Sequence, residues 1–477
     1  MSLDLDDLFK PKSIAVVGAT SKANWGWSNG NSWIAGAIKQ GFPGPIYPVH
    51  PKAKTILGLK VYPTILDIPD EIDLAIFTVP IKAVIKTMSQ CVKKGVRYVH
   101  LLTAGFTETG REEDADIENE LVDIAKKGGI RLIGPNCMGI YCPEGGVAWS
   151  NDFPTTGGTI GFFSQSGQMA YHVIRGGERQ QLRYSKVVSF GNACDLQAHD
   201  FLNYMIQDES TQIIGAYLEG LRDGQAFLEA ARKATQTKPL VIWKGGQTQG
   251  GSRATLSHTA AIAGSQKIWQ GLCQQAGIIP ADCIDEMIYT LQALKLMPLP
   301  RGTNVAILGG AGGGSVTMTD AAEKEGLKVP RLEDKTICEL EKFVPREGSS
   351  VKNPLDILPA ISAGNSMLRV MELLRDDANI DGMIFNLRPG RIYESFGRKV
   401  LNKHLDIVLE SIKVLEKPCY IAVEKENDLN LEALRLETEE LFNDMGIVMF
   451  PDVSLSARIM YRMNAYHDYL CSTQAPG

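Results

Sequence analysis

Pro239-Leu-Val-Ile-Trp243 followed by KGGQTQGGSRATLSHTAAIAG (Lys244–Gly264) is the stretch that decides the fold. The apolar run Pro239–Trp243 reads as a buried strand, and a helix is expected from Ser265. Between them stand Gly245, Gly246, Gly250, Gly251 and Gly264, several hydroxyl residues and one histidine, His258. Glycines at this density allow left-handed backbone and close approach, so the segment reads as a long loop. A long loop between a buried strand and a helix points to a function carried beside an α/β sheet; a surface excursion with a bystander histidine is the bland alternative.

Working outward, the same alternation of apolar strands and helical patterns fills the chain. Before it come Thr159–Phe163, Lys186–Phe190 and Ile213–Leu218. Further back come Ser13–Val17, Ile46-Tyr47, Leu74–Val79, Tyr98–Leu102 and Arg131–Ile133, with helical spacing at Ala83-Val84-Met88-Val92 and Ile117-Leu121-Ile124. After it come Asn304–Leu308, Gly382–Leu387 and Cys419–Val423. Near-continuous apolar strands alternating with helices mean parallel sheets covered on both faces. The pattern restarts twice, after Pro154/Gly157-Gly158 and after Pro298-Leu-Pro-Arg-Gly302. The expected fold class is therefore α/β with three doubly wound domains, 1–150, 151–298 and 299–477. Each opens with a strand running into glycines: Val17-Gly18, Phe163-Ser-Gln-Ser-Gly167 and Leu308-Gly-Gly-Ala-Gly-Gly-Gly314.

Composition narrows the functional classes. The 477 residues are 44% hydrophobic and 22% charged, with a net charge of -6 and no basic block, which argues against broad nucleic-acid binding. No apolar run is long enough to span a bilayer. The acidic N-terminus MSLDLDDLFKPKS lacks a signal-peptide pattern, and the nine scattered cysteines form no CxxC pair. Free thiols in a cytoplasmic protein are expected, with no metal site and no disulfide framework.

The first βα turn, Val16-Val-Gly-Ala-Thr-Ser21, is half of a dinucleotide fingerprint. GxGxxG is absent, and Pro48-Val-His-Pro-Lys52 stands where an acidic residue would bind a free ribose diol. A lysine there suits a phosphorylated ribose, as in coenzyme A; a purely structural turn is the bland alternative. Ser166 is a natural N-cap, and the N–H groups of Gly167 and Gln168 can hold a phosphate or simply begin a helix. Glu219 ends a strand at the sheet edge where ligands collect, as a tautomer-fixing partner for a histidine or as a solvated acid. Among seven histidines, His100 falls inside an apolar strand, His172, His199, His404 and His467 fall on helical patterns, and His50 sits in a proline-rich turn. Only His258 has a glycine- and hydroxyl-rich setting, which suits a nucleophilic or carrier imidazole.

Ser13-Ile-Ala-Val-Val-Gly-Ala-Thr20, Ile46–Lys52, Thr103-Ala-Gly-Phe106, Ile133-Gly-Pro-Asn-Cys-Met-Gly-Ile140, Phe163–Gly167, Ser257-His-Thr-Ala-Ala-Ile-Ala-Gly264 and Val351–Asp356 occur together and in order. In these motifs the chain resembles the α subunit of ADP-forming acyl-CoA synthetases, relatives of succinyl-CoA synthetase. The resemblance implies a Rossmann-like CoA-binding domain followed by two flavodoxin-like ligase domains. It implies His258 as a phosphohistidine, Glu219 as its orienting acid, and Ser166, Gly167 and Gln168 as the phosphate site. Tyr171 would line the acyl site. Gly18, Ala19, Thr20, Ser21, Lys52, Thr103, Ala104 and Asn136 would contact CoA. ADP or ATP and Mg2+ would be held by an ATP-grasp β subunit, for which three α/β units leave no room here, and the other partner would be a small carboxylic acid. Ala260 and His50 depart from the family's usual Gly and Asn, and Trp25-Gly-Trp-Ser28 replaces a glycine-lysine stretch. A non-catalytic CoA-binding regulator on the same domains, and a nicotinamide-dependent dehydrogenase, are the other readings open at this stage.

Overall fold

The computed structural model describes residues 4–20, 29–251, 253, 266–310, 312–345, 348–357 and 366–474. The chain divides into two compact units, Met1–Leu291 and Gln292–Gly477.

The first unit contains two sheets. The first is built from β1 (Ile14–Val17), β2 (Ile46–Val49), β5 (Leu74–Phe77), β6 (Tyr98–Leu101) and β7 (Arg131–Ile133); β3 (Thr55–Ile56) and β4 (Leu59–Lys60) form a separate small hairpin. The order is β2-β1-β5-β6-β7, all parallel. A parallel bridge from Val49 to Tyr62 lays the chain beyond the hairpin alongside β2. Counted with that bridge, the sheet fills all six places of the 3-2-1-4-5-6 dinucleotide-binding order. Every residue of β1, β5 and β6 is buried, as a sheet covered on both faces requires. The covering helix Glu112–Lys127 carries Glu112, Glu113 and Asp114 in its first turn and Lys126 and Lys127 in its last, which matches its dipole.

The second sheet contains β8 (Gly139–Tyr141), β9 (Ile160–Ser164), β10 (Tyr184–Ser189), β11 (Ile213–Leu218), β12 (Leu240–Lys244) and β13 (Ile279–Ala281). Its order is β13-β12-β11-β9-β10-β8, parallel except for β8, which runs antiparallel to β10. Without β8 this is the 2-1-3-4-5 flavodoxin order, whose switch point lies between β9 and β11. β8 is not foreseen from the sequence: its three residues follow β7 of the first sheet and edge the second.

The second unit holds β14 (Val305–Leu308), β15 (Gly382–Asn386), β16 (Cys419–Ala422) and β17 (Met449–Phe450), parallel and in that order. Parallel bridges Asn304–Lys328 and Leu308–Leu355 place chain on the free side of β14, so this sheet too follows 2-1-3-4-5. Among the described residues no helix is long and apolar enough to cross a membrane.

Candidate active site

Register fixes which residues meet at the edge of the second sheet. Ser164 at the end of β9 pairs with Tyr217 of β11, and Leu218 pairs with Lys244 at the end of β12. Gln165 follows at the switch point, buried, and its N–H donates to the Tyr217 carbonyl at 3.0 Å. Its side-chain Oε1 accepts the N–H groups of Glu219 at 2.5 Å and Gly220 at 3.0 Å. A buried amide thus sets the main chain that carries Glu219, a role the sequence did not reveal. The Glu219 side chain is buried and accepts the Tyr217 hydroxyl at 3.3 Å. Lys244 Nζ donates to the Glu219 carbonyl at 2.7 Å, and burial holds this ammonium below its usual pKa against the pull of Glu219. Gly245 then begins the segment that carries His258; a Cβ here would lie 2.5 Å from the Tyr217 hydroxyl. His258 itself, like Ser21, lies outside the described residues.

Beside Gln165, Ser166 caps the helix Gly167–Arg179, its Oγ accepting the Met169 N–H at 3.3 Å. The first N–H groups of a helix have no intrahelical acceptor, so those of Gly167 and Gln168 point outward from the positive end of the dipole. They border a cavity of about 340 Å³ lined by Met138, Trp149, Ser150, Gly167, Gln168, Tyr171 and His172. The structure therefore joins Gly167, Gln168 and Tyr171 in one chamber. It adds His172, read from the sequence only as a helix residue, because one turn of helix puts it level with Gln168. The Tyr171 hydroxyl donates to Asp152 at 2.6 Å; burial and that carboxylate raise its pKa.

The first sheet presents its own row of strand ends. Gly18 follows β1 with φ +101°, and a Cβ would sit 2.8 Å from three atoms of Thr78 after β5. Glycine is required for this approach at the switch point. Ala19 is buried, and Asn31 clasps Thr20, its Oδ1 accepting the Thr20 N–H at 3.0 Å and its Nδ2 donating to the Thr20 carbonyl at 2.8 Å. Lys52 is exposed in the turn after β2, where His50 Nδ1 accepts the N–H groups of Lys52 and Ala53 at 3.1 and 3.0 Å. A side-chain acceptor two residues back is what an Asn Oδ1 supplies in an Asx turn, so His50 holds this turn as an asparagine would. After β6, Thr103 donates to the Val79 carbonyl at 2.7 Å and accepts the Asn136 N–H on its own carbonyl at 3.0 Å, with Ala104 exposed next to it. The expected CoA contacts that are described thus share one sheet edge, through register rather than sequence proximity. Among the described residues no group of three or more His, Cys, Asp or Glu side chains is arranged to hold a metal ion.

Comparison with known proteins follows the same division. Residues 12–143 match the CoA binding domain family, and residues 157–294 match the succinyl-CoA ligase like flavodoxin domain. The α subunit of acetate–CoA ligase (ADP-forming) II from Pyrococcus furiosus is 37% identical over 410 residues, covering 86% of this chain and 87% of that one. This chain belongs to the α-subunit family of ADP-forming acyl-CoA synthetases. The synthetase subunit is also 35% identical to acetate–CoA ligase (ADP-forming) II of Archaeoglobus fulgidus, covering 97% of this chain but 67% of that longer one. The dinucleotide-forming acetyl-coenzyme A synthetase 1 of Ca. Korarchaeum cryptofilum, solved with phosphate and ADP, superposes with a TM-score of 0.81 at 29% identity, covering 99% of this chain and 100% of that chain. The α-subunit naming of the Pyrococcus relative implies a second subunit in that enzyme. The synthetase subunit is accordingly a ligase component, and its first sheet belongs to a CoA-binding domain.

Proposed function

We propose that this chain supplies the CoA site and the phosphoryl carrier for the interconversion of acyl-CoA, ADP and phosphate with a carboxylic acid, CoA and ATP. In this reading the segments 1–150, 151–298 and 299–477 act as the CoA-binding, phosphohistidine and ligase-like domains of a cytoplasmic enzyme. CoA lies along the edge formed by Gly18, Ala19, Thr20, Thr103, Ala104 and Asn136, with Lys52 on a ribose phosphate; Ser21, outside the described residues, is a further contact in this reading. What supports this is that Lys52 is exposed after β2 and that Gly18, Thr103 and Asn136 follow β1, β6 and β7 at the same sheet edge, where ligands of such sheets bind.

Phosphate at the Gly167 and Gln168 N–H groups attacks the thioester carbonyl, the C–S bond breaks, and CoA leaves as the thiolate. The acyl group lies against Tyr171. His258 then takes the phosphoryl group from the acyl phosphate, releasing the carboxylate, and passes it to ADP on an ATP-grasp β subunit. Glu219 accepts the N–H of the other imidazole nitrogen, which keeps the attacking nitrogen's lone pair available. Mg2+ on that partner would neutralise the nucleotide phosphates. The carrying observation is that a capped helix N-terminus, a buried glutamate and the strand that leads into the His258 segment share one edge of the sheet, the first two flanking its switch point.

The test is incubation of this chain with labelled ATP, Mg2+ and the ATP-grasp subunit. An acid-labile, base-stable phosphoprotein that disappears in His258→Ala is expected. Full labelling of His258→Ala would place the carrier elsewhere.

A further inference from the structure

Asn192, in the loop after β10, has no assigned role, yet four pieces of the site hang on it and its neighbours. Its side chain is 4% exposed, and Nδ2 lies 2.6 Å from Glu108 Oε2 and 3.2 Å from Glu118 Oε2. Glu108 in turn accepts the Gly105 N–H at 2.6 Å and the Phe106 N–H at 3.1 Å, so it fixes the main chain that follows Thr103 and Ala104. Glu118 is 3% exposed and meets Arg222, three residues beyond Glu219, at 3.3 Å. The Asn192 N–H donates to the Pro135 carbonyl at 3.1 Å, next to Asn136, and the Phe190 N–H donates to the Ser164 carbonyl at 2.9 Å. One amide therefore sits between two carboxylates of the first sheet's layer, and its loop is tied through Phe190 to the strand that begins the phosphate turn.

We propose that Asn192 is a positioning residue that fixes the CoA-facing loop 103–109 at a set distance from the phosphate-side strand ends, with Glu118 and Arg222 as its supports. The reason is electrostatic as well as geometric. Two carboxylates on neighbouring elements repel; a shared amide donor and the Arg222 guanidinium turn that repulsion into a clamp. The thioester of a CoA held by the loop must reach a phosphate at Gly167 within bond-forming distance, and small displacements at such a junction reduce rate strongly. A packing role would need only apolar contact, whereas this amide holds the loop through the very carboxylate that binds its backbone. The inference rests on the CoA reading of Thr103 and Ala104.

The experiment uses the complex with the ATP-grasp subunit and separates two half-reactions: phosphoenzyme formation from ATP without CoA, and CoA-dependent thioester formation. Asn192→Ala should raise KM for CoA or lower the thioester rate about tenfold, the effect of one lost bond to a charged group. Phosphoenzyme formation should stay within about twofold of the unmodified complex. If Asn192→Ala does not fold, Arg222→Ala, on a half-exposed side chain, gives the same readout, and Arg222→Lys should restore part of the loss. Unchanged CoA kinetics in these variants would overturn the proposal. So would an equal fall of both half-reactions together with thermal stability, which is the signature of a purely structural residue. An unmodified complex that labels but does not bind CoA would remove the CoA reading itself, and this inference with it.

Discussion

The edge after β9 and the edge after β14 make the same topological move by different means. Both lead from the first strand of a 2-1-3-4-5 sheet into a helix. After β9 the turn is short and fully specified: Gln165 ties two strand ends, Ser166 caps, and Gly167 begins the helix with no room for a side chain, its Cβ position lying 2.0 Å from Met138 Cγ. After β14 the turn is built of glycines, with φ +109° at Gly309, +84° at Gly310 and +53° at Gly312. Its helix starts at Gly313 without a side-chain cap, and nothing lies within 4 Å of a Cβ there. Across the switch point the second sheet offers a buried acid, Glu219, while the third offers Arg388 beside a cavity of about 420 Å³ of mixed charge, lined by Arg391 and Lys425 together with Glu394, Glu424 and Glu426. Topology decides where a site is; cap, steric fit and charge decide what it can hold.

The largest expected effect would break the comparison outright. His258→Ala should abolish the phosphoenzyme and the overall reaction, measured with labelled ATP; label persisting on the second unit would make the β14 edge the carrier site instead. Next, Glu219→Gln should slow phosphorylation roughly 10- to 100-fold while CoA binding holds, because the imidazole loses the acceptor that fixes its tautomer. A change confined to CoA affinity would show that Glu219 serves the other sheet. Gly167→Ala should cost about 1–3 kcal/mol in denaturant unfolding, since Met138 must move. The matching change at the third sheet, Gly313→Ala, should be neutral or stabilising by up to about 1 kcal/mol, because the site is open and the substitution lowers the entropy of the unfolded chain. Equal costs at Gly167 and Gly313 would mean that the two helix starts are sterically alike.

The longer strands of all three sheets were legible because buried parallel strands are nearly continuous apolar runs: Ile213–Leu218 and Arg131–Ile133 occur with the expected bounds. β8, β13 and β17 were not, since two or three residues at a sheet edge carry no periodicity, and Pro280 inside β13 reads against a strand. At the site, Ser166 and Glu219 could be named from capping chemistry and strand-end position. Gln165, Asn31 and Asn192 could not, because each acts through a partner far away in sequence or through a backbone group. His100, by contrast, was readable as core from its apolar strand; it is fully buried, and desolvation lowers its pKa to about 3.

β8 has a consequence for anyone who treats such chains as strings of exchangeable modules. Its residues, Gly139–Tyr141, are encoded with the first sheet but pair with Val187, Val188 and Ser189 of the second. A chimera joined near residue 150 would therefore import the donor's edge strand into the recipient's second sheet. The graft would have to satisfy a foreign ladder as well as a foreign interface. Successful swaps between relatives should cluster upstream of Gly139 or carry β10 along, so that this seam is inherited as a single piece.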